Sequence, residues 1–117
     1  MTALVKPVTW ILGLVLALVG VIGFFVNPIY LFTVNPLHNV VHLASGIVAL
    51  WAASSSVAYA RMYLIIFGLV YGLVAVAGYL GVTAVVDLLN INDADNLLHV
   101  AIAAVCLIVG FGSKARA

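Results

Sequence analysis

Long uninterrupted apolar stretches constrain this chain more than any other feature. Four can be marked, at about residues 7–26, 36–57, 62–82 and 93–112. Each is long enough to cross a bilayer, which takes ~20 residues of helix for a hydrocarbon core of about 30 Å. The fourth fits most narrowly, since its apolar part begins only at Leu97. Lipid offers the backbone no hydrogen-bond partners, so a spanning segment must satisfy its own amides, as a helix does. No run shows the strict alternation of a barrel strand. Composition agrees: 68% of the 117 residues are hydrophobic and 6% charged, whereas soluble domains are roughly 25% charged. A soluble globule of this length exposes too much of its chain to hide such a surface. The expectation is an all-α integral membrane four-helix bundle, one domain over residues 1–117.

The charges orient it. Lys6 precedes the first run, Arg61 separates the second and third, and Lys114 and Arg116 follow the fourth. With four crossings all fall on one side, while Asp87, Asp93 and Asp95 fall on the other. Basic residues stay in the cytoplasm. Both termini are therefore expected inside the cell, with the histidine-bearing loops facing outward. The opening lysine and apolar run resemble a secretory signal, but the run is long enough to span and no small-x-small cleavage site follows it. A formal net charge of +1 argues against nucleic acid, which demands a dense basic face. Cys106, the single cysteine, has no disulfide or CxxC partner and reads as a small buried hydrophobe.

Two halves of the chain resemble one another. Ile11-Leu-Gly13-Leu14-Val15 recurs as Ile66-Phe-Gly68-Leu69-Val70, and Leu18, Val19, Val21 and Gly23 match Leu73, Val74, Val76 and Gly78. After a small insertion, Asn35, Asn39 and His42 match Asn92, Asn96 and His99. Apolar matches arise easily by chance; the Asn and His matches do not. The expected architecture is two repeated helical hairpins, about 7–57 and 62–112, related by an axis along the membrane normal. The GxxxG at Gly68 and Gly72 suits close helix approach inside the bundle, or else a homodimer face. Trp10, Trp51, Tyr59 and Tyr63 fall near segment ends and could form interfacial belts, with Tyr30 and Phe32 at the outer headgroups.

The polar residues gather at two helix starts. Asn35 before Pro36, and Asn92 before two acidic residues, read as N-caps. His38 and Asp95 take the third helical position, where a side chain can reach back to the cap. Helix periodicity puts Asn39, His42 and Gly46 on one face, and Asn96, His99 and Ala103 repeat that spacing. His42 and His99 lie roughly 10 Å along their helices at 1.5 Å per residue, where polar groups face the bundle interior and find partners. One reading is a structural clasp in which Asn39, His42, Asn96 and His99 bond across the axis. The chain would then be a non-catalytic accessory or partner-binding subunit, or a homo-oligomer. The alternative is a ligand site: His38, His42, Asp95 and His99 would suit a divalent metal, or His42 and His99 alone a non-covalent haem or pigment. A catalytic function is not expected, because no nucleophile–base arrangement, phosphate loop or buried carboxylate pair is visible.

The block Asn-Pro-Leu-His-Asn-Val-Val-His-Leu-Ala-Ser-Gly at 35–46, with its echo from Asn92, resembles a bacterial family of small four-span membrane proteins catalogued as a domain of unknown function. Asn39, His42, Leu43 and Gly46 carry its Asn-x-x-His-Leu-x-x-x-Gly pattern. Asn96 and His99 carry it in the second copy, where Val100 and Ala103 depart from it. The resemblance implies the four-span fold and the inner membrane, with no activity attached.

Overall fold

The computed structural model describes residues 1–114; Arg116 lies outside the described residues. Five α-helices follow a short 3-10 turn: α1 (Val5–Ile22), α2 (Pro36–Ser55), α3 (Val57–Tyr79), α4 (Thr83–Leu89) and α5 (Asp93–Gly112). Four of these, α1 with its leading turn, α2, α3 and α5, are long and apolar enough to cross a membrane. The chain is a multi-pass membrane protein, and most of its exposed side chains are apolar.

Helix boundaries differ from the sequence expectation for local reasons. Pro7 sits inside the first turn of α1, not at its start. Proline is tolerated there because those first amides have no intrahelical partner to lose. The connection between α2 and α3 shrinks to Ser56, which closes α2 and caps α3 by accepting from the Tyr59 amide at 3.0 Å. Ser54 and Ser55 each bond back to the Trp51 carbonyl at 2.8 Å, as helix-end serines do. The loop after α3 contains the unexpected short helix α4, ended by Asn90 in the left-handed region, a conformation asparagine tolerates. Tyr63 does not join an interfacial belt: it is buried and its hydroxyl donates to the Ser45 carbonyl at 2.9 Å. Trp10, Trp51 and Tyr59 are exposed.

One core cluster packs Val5, Ala49, Ala60 and Val109 together, joining the start of α1, the end of α2, the start of α3 and the end of α5. The Lys114 amide donates to Thr2 Oγ1 at 3.1 Å, so the described ends of the chain meet there. This terminal end also carries Lys6 and Arg61, while Asp87, Asp93 and Asp95 belong to the opposite, loop end. Cys106 is buried and free.

Glycines set how closely the helices approach. A Cβ on Gly46 would collide with the Ala17 amide nitrogen, and one on Gly20 would lie 2.6 Å from the Leu43 nitrogen. Gly68 packs inside the bundle, with a Cβ there only 2.9 Å from Cys106. Gly23 and Gly78 are the most confined: a Cβ would fall on Asn39 Oδ1 in one case and Asn96 Oδ1 in the other. Gly46→Ala is expected to cost about 1–3 kcal/mol through overpacking against backbone. Gly72→Ala, whose Cβ meets only Ala103 at 3.6 Å, should be tolerated. Thermal unfolding of both variants in one detergent checks the difference.

Candidate metal centre

The site is built at the loop end, where α2 and α5 begin side by side. Asn35 caps α2 by accepting from the His38 amide at 2.8 Å, and Asn92 caps α5 by accepting from the Asp95 amide at 2.9 Å. Each cap also ties its loop to the other one. The Asn35 amide group donates to the Leu88 carbonyl at 2.8 Å, and that of Asn92 donates to the Leu31 carbonyl at 2.9 Å. Asn90 Nδ2 adds a bond to the Val34 carbonyl at 2.9 Å. These reciprocal bonds hold α2 and α5 in register.

The third helical position then diverges between the two helices. Asp95 turns back to its cap: Oδ2 accepts from the Asn92 amide at 3.0 Å and lies 3.0 Å from Thr33 Oγ1. The capping box is complete, and the carboxylate is committed to it. His38 does not reach back. Its Nδ1 lies 2.9 Å from the Leu89 carbonyl at the end of α4. A carbonyl can only accept, so Nδ1 carries the proton and the Nε2 lone pair is free.

His38, His42 and His99 converge, with one ring nitrogen from each within 4.8 Å of the others. Ring centroids are 4.3 Å apart for His38 and His42, 5.6 Å for His38 and His99, and 6.2 Å for His42 and His99. All three are buried, at 1%, 4% and 2% exposure. His38 Nε2, both nitrogens of His42 and His99 Nδ1 have no hydrogen-bond partner among the described residues. Buried polar atoms are normally paired, and leaving one unpaired costs ~1–3 kcal/mol. Three adjacent imidazoles, each with an unpaired nitrogen, form a donor set that could hold a metal ion.

Two sequence expectations need correction. Asp95 does not join the histidines as a fourth donor, because the capping box and Thr33 hold its carboxylate. The clasp of Asn39, His42, Asn96 and His99 does not form either, since no hydrogen bond joins these four side chains among the described residues. The asparagines turn instead toward glycines of their own hairpins, Asn39 toward Gly23 and Asn96 toward Gly78. Sequence reasoning also missed Tyr71, whose ring lies 5.5 Å from His99 and 6.5 Å from His42. The signal for it was a tyrosine in mid-span, far from either interface. The Leu89 carbonyl had no signal, because it depends on where α4 stops.

A bundle of membrane-length helices with three buried imidazoles facing one another defines the class. The chain belongs to the family described as Domain of unknown function (DUF4383), whose model matches residues 6–112. No curated protein and no solved structure matches the chain.

Replacing an unpaired buried imidazole by an apolar ring should not weaken the ion-free protein. His42→Phe is expected to unfold, in the presence of a chelator, at or above the temperature of the unaltered chain. A large drop would restore the clasp reading.

Proposed function

We propose that this protein is a membrane-embedded binding centre for a single transition-metal ion, held by His38, His42 and His99. The convergence of the three rings, with one nitrogen of each within 4.8 Å of the others and an unpaired nitrogen on every ring, carries the reading. Imidazole suits zinc, copper, iron and nickel, and three imidazoles leave a coordination position open. The His38 arrangement supports it further. Metal-bound histidines usually donate their second N–H to a carbonyl or carboxylate, which fixes tautomer and ring orientation, and the Leu89 carbonyl supplies that partner. The adjoining cavity, about 100 Å³, lies well below the roughly 300–1,000 Å³ usual for cofactor-sized ligands. That size favours a bare ion over a haem or pigment. With basic residues at the terminal end and acidic ones at the loop end, the centre would lie toward the outer face of the membrane.

Metal analysis of protein purified from membranes, followed by zinc titration of the chelated protein, tests this. One ion per chain is expected. Alanine at His38, His42 or His99 should each weaken binding by about 100-fold or more, whereas Asp95→Ala should keep the stoichiometry. Uptake should fall in acid, because the ligands must be neutral and protons compete with the ion. Stoichiometric zinc that survives His42→Ala would overturn the assignment.

A further inference from the structure

The cavity beside the histidines lies between α2 and α3. Val41 and Ser45 wall one side, and Phe67, Val70, Tyr71 and Val74 the other. Val41 and Val70 are also exposed on the outer surface of the bundle, so the cavity reaches that surface between them. At 1.5 Å per residue, Val41 lies about 8 Å into α2 and Val70 about 14 Å from the end of α3. Both depths fall within a spanning helix, so the slot faces hydrocarbon and not water. Toward the loop end the cavity is capped by Leu89, whose carbonyl also holds His38. His42, buried and with both ring nitrogens unpartnered, stands at the inner end of the slot.

We propose that the open coordination position takes a small neutral molecule of the diatomic-gas class, which enters from the bilayer through the slot between α2 and α3. The proposal rests on the metal reading above and adds to it the route and the class of ligand. An anion taking this route would shed its hydration among valines and Phe67, and an unpaired charge in such surroundings is strongly disfavoured. A neutral diatomic already dissolves in hydrocarbon and fits a space of about 100 Å³. No bond to carbon or oxygen need break: the ligand donates a lone pair to the ion and leaves unchanged.

The test uses the full chain in phosphatidylcholine nanodiscs, loaded anaerobically with copper(I) and exposed to carbon monoxide. The infrared C–O stretch reports binding, and recombination after photolysis reports access. One carbon monoxide per copper is expected, undisturbed by azide. Val70→Trp and Val41→Trp should slow recombination by about tenfold or more at unchanged copper content, and Val70→Ala should speed it. Ile108→Trp, exposed on α5 away from the slot, should leave the rate alone. Copper without carbon monoxide binding, displacement by azide, or rates indifferent to all slot variants would overturn the route while leaving the metal reading intact. A chain that takes up zinc but no copper would overturn the gas ligand alone, and one that takes up neither would overturn both.

Discussion

Hydrocarbon is a poor neighbour for a hydrogen-bonding group, and the loop end of this bundle is arranged around that fact. Every polar residue buried there must find a partner inside the protein or in something it binds. Some do find one inside. Asn35 and Asn92 cap their own helices and donate to the opposite loop, and Asp95 is held by Asn92 and Thr33. Unpaired atoms remain on Asn39 and Asn96 Oδ1, on the Tyr71 hydroxyl, and on three imidazoles, and the imidazoles are adjacent. Scattered unpaired groups would read as local imperfections. A convergent set reads as a site.

The convergence depends on how tightly the helices pack. α1 lies on α2 through Gly20 and Gly46, where backbone meets backbone with no room for a methyl group. Between lipid-facing helices such contact relies on van der Waals packing, which small residues make possible. Gly23 and Gly78 serve a related purpose. By yielding space to the Asn39 and Asn96 carboxamides, they draw those side chains to the flank of the histidine-bearing face. The interior is thereby left to the rings and to Tyr71.

Much of this was legible in the sequence, and the rest was hidden for identifiable reasons. The spans show because a membrane demands length and apolarity, both local properties. The caps show because Asn before Pro36, and Asn three residues before Asp95, are chemical signatures of a helix start. The approach of His42 to His99 follows from placing two helix starts at the same end. What a linear reading could not supply is which neighbour a polar side chain prefers once several are within reach. Asn39 and Asn96 each had a histidine on the same helix face, yet they face Gly23, just past the end of α1, and Gly78 in α3. The Leu89 carbonyl is available only because α4 ends there with Asn90 in the left-handed region. Such a stop depends on folded context, not on a pattern.

The difference between His38 and Asp95 completes the argument. Both stand three residues after a capping asparagine, at the start of neighbouring helices. A carboxylate there accepts the cap's own amide and is consumed by the helix. An imidazole with a protonated Nδ1 cannot accept through that atom; given the Leu89 carbonyl to donate to, it presents its other nitrogen inward. Two carboxylates at these positions would have left a plain pair of capped helices with His42 facing His99. Two histidines would have set a fourth ring beside the other three, next to a cavity of only about 100 Å³. One of each gives three imidazoles with a vacant side, and that side faces the slot between α2 and α3.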